Sequence, residues 1–224
     1  MAGATSYTVE NYLKAIFQAQ AQQPDFGGVV PMGQLATALG VVPGTATTMV
    51  KALSESGLVE YEPYVGVRLT DAGEKLAALV LRRHRLIELF LVQVMGMSWA
   101  DVHAEAEHLE HAMSDRLVDR IDEMLGRPTV DPHGDPIPNE EGELEPAQHD
   151  SLLTCALRAP VRVIRVVDQS AAFLRFVETS RLKPGEVVNI EDRDAAADRV
   201  TISRRGDRLT IGTRAAAKLL VQSV

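Results

Sequence analysis

Cysteine is nearly missing from this chain of 224 residues: Cys155 stands alone. One thiol cannot close an internal disulfide, and a reducing compartment is expected. Long apolar runs are missing too. No stretch of about 18 consecutive apolar residues occurs, so the sequence offers nothing to span a bilayer. The first residues have neither the basic nor the apolar region of a secretory signal, and a cytoplasmic protein is expected. Nor is there an excess of basic charge: 23 Lys and Arg stand against 31 Asp and Glu, a formal net charge of −8. Nonspecific polyanion binding is therefore not the message of the whole chain. The balance is uneven. Residues 1–75 and 76–127 each sum to −3, residues 128–150 to −7, and residues 151–224 to +5. What is present in quantity is apolar sequence, 46% of the chain. That is enough to bury a core in two ordinary domains or one large one.

Lysine and arginine are also absent from Val102 to Ser114, within the stretch VHAEAEHLEHAMSD. Without Pro or Gly and with several good helix formers, this stretch predicts one helix, from about Ser98 to Leu125. At 3.6 residues per turn, His103, Glu107, Glu110 and His111 fall within about 100° of one face. Such a stripe is either a metal site or a solvated face. A solvated face usually mixes acids with bases, and none are here. Imidazole with carboxylate suits a first-row divalent ion, and a carboxylate-rich set tolerates Mn(II) or Fe(II).

Taken in order, Tyr7–Gln23 has Val9, Tyr12, Leu13, Ile16 and Phe17 at helical spacing, and Pro24–Gly28 stops it. A short helix, Met32–Leu39, ends at Gly40, which permits a left-handed turn. A second runs from Pro43, tolerated at a helix start, to Ser56. The pair reads as a helix-turn-helix, with an αα-hairpin as the plain alternative. Its second helix presents Thr45, Thr47, Thr48 and Lys51, whose short or basic side chains suit phosphates and base edges. The strand-like runs LVEY and VRLT make it a winged helix. Arg68 there is either a phosphate contact or a solvated strand residue.

A long helix, Ala72–Met95, capped by Thr70–Asp71, carries His84 and Glu88 one turn apart. It and its successor have apolar surface for a dimer interface or for packing within one chain. Gly126–Asp150 is rich in Pro, Gly and acid and reads as an exposed boundary segment. Its His133 and acids are assigned to the linker rather than to metal. After Ser151 the chain alternates as short strands, with SAAFLRFVETS as a helix and Ala215–Val221 as the closing segment. A small SH3-like β-barrel is expected. The architecture expected is therefore mainly α with a C-terminal small β-barrel. It comprises a winged helix-turn-helix domain (1–71), a helical metal-binding and dimerisation domain (72–127), an acidic linker (128–150) and an SH3-like domain (151–224).

The motifs TVENYLKAIF, LATALGV…TMVKALSESGLVE, RRHRLIELFL, VHAEAEHLEHAMSD and DPHGDPIP together resemble the diphtheria toxin repressor family of iron- and manganese-dependent regulators. The resemblance covers nearly the whole chain, and its last part is similar to the family's SH3-like, FeoA-like domain. It implies two metal sites. The ancillary site maps to His84, Glu88 and His103. The regulatory site maps to Glu107, Glu110 and His111, with Asn11 from the first helix. Glu107 stands where iron-responsive members commonly have Cys, and the harder donor favours Mn(II). Asn11 stands where members carry Met or Asp. Lys14 replaces the acid that closes the two-metal cluster of short manganese-responsive members. Some members add Glu and Gln from the SH3-like domain; Ser170 and Phe173 align there, with Asp168 and Gln169 as nearby substitutes.

The function implied is a metal-dependent transcriptional repressor: a homodimer, not an enzyme, that binds a near-palindromic double-stranded DNA operator through Pro43, Thr45, Thr47, Thr48, Lys51 and Arg68. Mn(II), or alternatively Fe(II), would fix the N-terminal helix and so the spacing of two recognition helices. Two other classes stay open on the residues alone. One is a winged-helix regulator of a small organic ligand. The other is a metal hydrolase, against which the chain offers no obvious nucleophile and no phosphate-cradling glycine loop.

Overall fold

The computed structural model describes residues 6–22, 28–144 and 148–224. The chain divides into two compact units, Met1–His84 with Pro138–Leu144, and Arg85–Ile137 with Glu145–Val224.

In the first unit, α1 (Tyr7–Gln22) buries Tyr12, Leu13, Ile16 and Ala19, the helical spacing the sequence shows. The expected stop at Pro24–Gly28 lies outside the described residues except for Gly28. Two helices follow, α2 (Met32–Ala38) and α3 (Pro43–Glu55). Gly40 between them has φ +64°, the left-handed turn its lack of a Cβ permits. Ala36 and Ala46, both buried, present small faces in the shared core with Leu35, Val50 and Leu53. The wing is an antiparallel hairpin of β1 (Val59–Glu62) and β2 (Gly66–Leu69), in register Val59↔Leu69. Val30 adds a bridge to Val67, with N–H···O distances of 2.8 and 3.0 Å. Then α4 (Asp71–Gln93) begins, its first turn capped by Thr70, whose Oγ1 accepts from the Gly73 N–H at 3.2 Å.

The second unit takes up the rest of α4, then α5 (Val102–Leu109) and α6 (Asp115–Met124). The single helix expected from Ser98 to Leu125 is therefore two. The chain leaves helical geometry after Glu110, where Ala112 and Met113 both donate to Leu109 O, and re-enters at Ser114, an extended N-cap with φ −75° and ψ 151°. Serine followed by an acid is a helix-start signal, and Ser114–Asp115 supplies it without Pro or Gly. Along α6, Val118 and Ile121 pack with Leu86, Leu89 and Ile137, while Ile87 and Leu91 pack with Val102 and Ala106 of α5.

The C-terminal part has β3 (Asp150–Ser151), β4 (Pro160–Val166), α7 (Ala171–Thr179), β5 (Val187–Asp194), β6 (Arg199–Arg204), β7 (Asp207–Ile211), α8 (Thr213–Ala216) and β8 (Leu219–Ser223). All pairings are antiparallel, in the order β3-β8-β4-β5-β6-β7. The expected barrel is thus a sheet whose ladder stays open between β3 and β7 among the described residues, and its expected closing segment divides into α8 and β8. A register shift between Val163 and Arg165 explains why the buried residues of β4 run Val161, Val163 and then Val166. Trp99 and Ala100, from the turn before α5, are buried in this domain's core beside Leu174, Val177 and Val188.

Candidate metal centre

Three sets of potential ligands bring their donor atoms within 4.8 Å of one another: His84, Glu88 and His103; His84, Glu107 and Glu110; and Glu88, Asp131 and His133. On α4, His84 and Glu88 are buried and one turn apart. His103 Nδ1 lies 3.1 Å from Glu88 Oε1, and its Nε2 lies 3.6 Å from Glu107 Oε1. Glu110, fully buried at the end of α5, has Oε1 3.3 Å from His111 Nε2. The predicted stripe on one helix is replaced by a helix end: Glu107 sits in the last turn of α5, Glu110 caps it, and His111 follows in the turn. Asn11 is half-buried on α1.

The third set was hidden in the segment expected to be an exposed linker. Asp131, His133 and Asp135 are instead buried, His133 completely. The loop folds on the Asp131 carboxylate: Oδ1 accepts from the N–H of His133 at 2.8 Å and of Asp135 at 2.9 Å. Gly134 turns it with φ +86°, and a Cβ there would lie 1.9 Å from Ile164 O. Only glycine fits that approach. The His133 N–H aside, its ring is held on both faces of its chemistry. The ring stacks on Trp99 with centroids 5.3 Å apart, and Nε2 lies 2.9 Å from Trp99 O. A carbonyl only accepts, so Nε2 carries a proton, and Nδ1 is the ring nitrogen left to face a metal.

That Nδ1 lies 3.8 Å from Asp131 Oδ2 and 3.9 Å from Glu88 Oε2. Neither distance is a hydrogen bond, and His133 Nδ1 and Asp131 Oδ2 are buried without a hydrogen-bonding partner. A divalent ion about 2.1 Å from each donor puts neighbouring donors roughly 3 Å apart, so a contraction of under about 1 Å would close this set on one. Burial pulls the His133 pKa down, but the Asp131 carboxylate, then Glu88 and the Trp99 carbonyl, outweigh it and raise the value. Burial and the charge of Asp131 push Asp135 up, against Arg85, Arg165 and His133. These buried groups fit a cation.

Of the substitutes expected from the SH3-like domain, Asp168 is paired with Lys218 Nζ at 2.6 Å, and Gln169 donates to Asp135, next to the loop rather than in a ligand set. In the winged helix, Pro43 opens α3, and Thr45, Thr48 and Lys51 are exposed on it, with Thr47 half-buried. Arg68 is not aimed outward alone: its Nη2 lies 2.5 Å from Glu60 Oε2 across the hairpin. The signal for the missed set was DPHGDPIP itself. Its Asp-x-His spacing was visible, but Pro, Gly and acid are also what linkers contain.

Comparison with known proteins gives these groups a setting. An iron dependent repressor N-terminal DNA binding domain model matches residues 4–67, an iron dependent repressor metal binding and dimerisation domain model residues 70–139, and a FeoA domain model residues 151–223. A solved manganese-dependent transcriptional repressor in complex with manganese has a TM-score of 0.86 at 36% identity, over 96% of this chain and 100% of that one. The chain belongs to the iron-dependent repressor family. The iron-dependent repressor IdeR of Mycobacterium tuberculosis is 36% identical over 132 residues, 58% of this chain. That match spans about half of the relative, 55% of its length. The diphtheria toxin repressor of Corynebacterium diphtheriae is 29% identical over 212 residues, 89% of each chain. The iron-dependent repressor family is one of transcriptional regulators, which sets the hydrolase reading aside.

Proposed function

We propose that this chain is a metal-dependent DNA-binding repressor that responds to Mn(II), with Fe(II) as the alternative ion, acting as a cytoplasmic homodimer on a near-palindromic operator. The observation that carries the reading is the buried gap between Glu88, Asp131 and His133, where a ring nitrogen and a carboxylate oxygen are without hydrogen-bonding partners, in a chain that opens with a winged helix. Oxygen and imidazole donors without thiolate favour a harder ion such as Mn(II).

Two centres are proposed. Glu107, Glu110 and His111 form the regulatory one, with Asn11 as the first-helix member that the family resemblance assigns. Glu88 anchors the ancillary one. His84 and His103 were its expected partners, and Asp131 and His133 join it on the geometry above, with Asp168 and Gln169 in reserve on the neighbouring loop. Pro43, Thr45, Thr47, Thr48 and Lys51 are the proposed DNA-reading residues; Arg68 contributes once released from Glu60. Metal and DNA affinities are then linked reciprocally.

The test is fluorescence anisotropy of a labelled operator with and without Mn(II). Binding is expected only with metal, and Glu107→Ala or His111→Ala should abolish it. Variants that bind DNA equally with and without metal would refute the switch.

A further inference from the structure

The C-terminal sheet carries a concavity that neither the metal centres nor the winged helix uses. It is an open bowl of about 620 Å³ lined by Arg158, Glu191, Asp192, Arg199, Thr201 and Arg208. Strand alternation puts Arg199 and Thr201 on the side opposite the buried Val200 and Ile202. The two acids come from a bulge in β5. Its register with β6 slips between Ile190 and Asp192, so consecutive residues both line the bowl. These acids steady two of the arginines. Arg208 Nη2 lies 2.7 Å from Glu191 Oε2. Arg199 Nη2 is held more loosely, 3.6 Å from Asp192 Oδ2 and 3.5 Å from Asp194 Oδ2. A guanidinium has five donors in a fork, so neither arginine is used up by such a partner. Arg158 differs. Its N–H donates to Ile190 O at 2.8 Å, just before the bulge, and its backbone stands at φ +59°. That left-handed conformation is costly for any residue with a Cβ. The side chain is exposed, and among the described residues its guanidinium has no hydrogen bond or ion pair. Arginine thus stands where glycine would sit without strain, and local strain of this kind collects at functional sites.

We propose that this bowl binds a compact oxyanion of two or more negative charges, a polyphosphate or a polycarboxylate, between Arg158, Arg199 and Arg208. Three guanidinium groups against two carboxylates leave the lining positive, in a domain that sums to +5 within a chain of −8. A concave surface of one sign concentrates ions of the other. The planar fork of arginine matches phosphate and carboxylate oxygens two at a time, and the Thr201 hydroxyl adds a donor. The lining has no aromatic or aliphatic side chain, so it offers no surface to a nucleobase or an acyl chain. A bare cation is disfavoured, because both acids already face arginine. Polyphosphates and polycarboxylates hold hard divalent ions through oxygen. A regulator with this site reads the anion that competes for its metal, as a second input beside the metal itself. The site stands independently of the switch proposed above.

The full chain, dialysed free of metal, is titrated calorimetrically with pyrophosphate and with citrate at physiological ionic strength. Saturable binding of one ion per chain is expected, and the tighter of the two probes tells a phosphate source from a carboxylate one. Arg158→Gln should weaken binding roughly ten-fold or more. Arg214→Gln removes the same charge from an exposed position outside the bowl and should leave binding unchanged. Arg158→Gly should lose the binding while keeping the urea midpoint, because at φ +59° the relief of strain offsets the looser unfolded chain. Absence of saturable heat with both probes overturns the proposal. So does an equal loss in Arg214→Gln, which would make the binding a general effect of charge, or wild-type binding in Arg158→Gly.

Discussion

His133 concentrates the chemistry of the second unit. One ring nitrogen is tied to Trp99 O, the other faces two carboxylates, and the ring lies against the only tryptophan in the chain. Mn(II) binding should therefore change Trp99 emission, and His133→Ala should remove that change and weaken one class of site by at least about ten-fold. Titration of the fluorescence against Mn(II) measures both; an unchanged titration in the variant would place the ion elsewhere. Asp168 makes a different prediction. Burial pushes its pKa up, but Lys218 and the Ser170 amide outweigh that and hold it below the ordinary carboxylate value. A depressed folded pKa means stability that is present above the unfolded value, near pH 4, and lost as pH falls through the folded one. Asp168→Asn should lower the urea midpoint at neutral pH, by an effect of no more than about 1 kcal/mol given its partial exposure. Once the pH has fallen below the folded value the two proteins should converge.

Among the elements, the loop from Asp131 to Ile137 is tied down by its own hydrogen bonds and has no room at its turn for a side chain. Gly134→Ala would drive a Cβ into Ile164 O with the backbone already at φ +86°, and a loss of about 2 kcal/mol or more is expected in chemical denaturation. Wild-type stability in that variant would mean the loop does not sit on β4. This loop is also where the sequence was hardest to read. Apolar spacing made α1 legible, and Gly40, Pro43 and Thr70 marked the end of α2 and the starts of α3 and α4 for reasons of backbone geometry and capping. In DPHGDPIP no apolar period exists to report burial, because apart from Ile137 the side chains that bury are Asp131, His133 and Asp135, held by hydrogen bonds and ion pairs rather than by the hydrophobic effect. The break between α5 and α6 escaped for a related reason. Its stop is made by carbonyl sharing at Leu109 and the extended backbone of Ser114, neither of which interrupts a run of good helix formers. His103, Glu107, Glu110 and His111 were legible as a group from residue type, while their geometry at a helix end was not.

For the molecule as a whole, charge is distributed against strong nonspecific DNA binding. Residues 1–75 are net acidic, and Arg68 is held by Glu60. Glu60→Gln should free Arg68, tighten DNA binding and steepen its salt dependence by close to one counterion per protomer. Measured slopes of log affinity against log salt that do not move would exclude Arg68 from the interface. The C-terminal domain, for its part, grips the loop from outside. Val166 donates to His133 O at 2.8 Å, and Arg165 and Gln169 both hold Asp135. A chain shortened to end before Asp150 would keep Glu88, Asp131 and His133 and lose every one of these braces. Metal affinity at the proposed centre would then depend on tertiary support as much as on ligand identity, and amputation of the sheet should weaken it without touching a single donor atom.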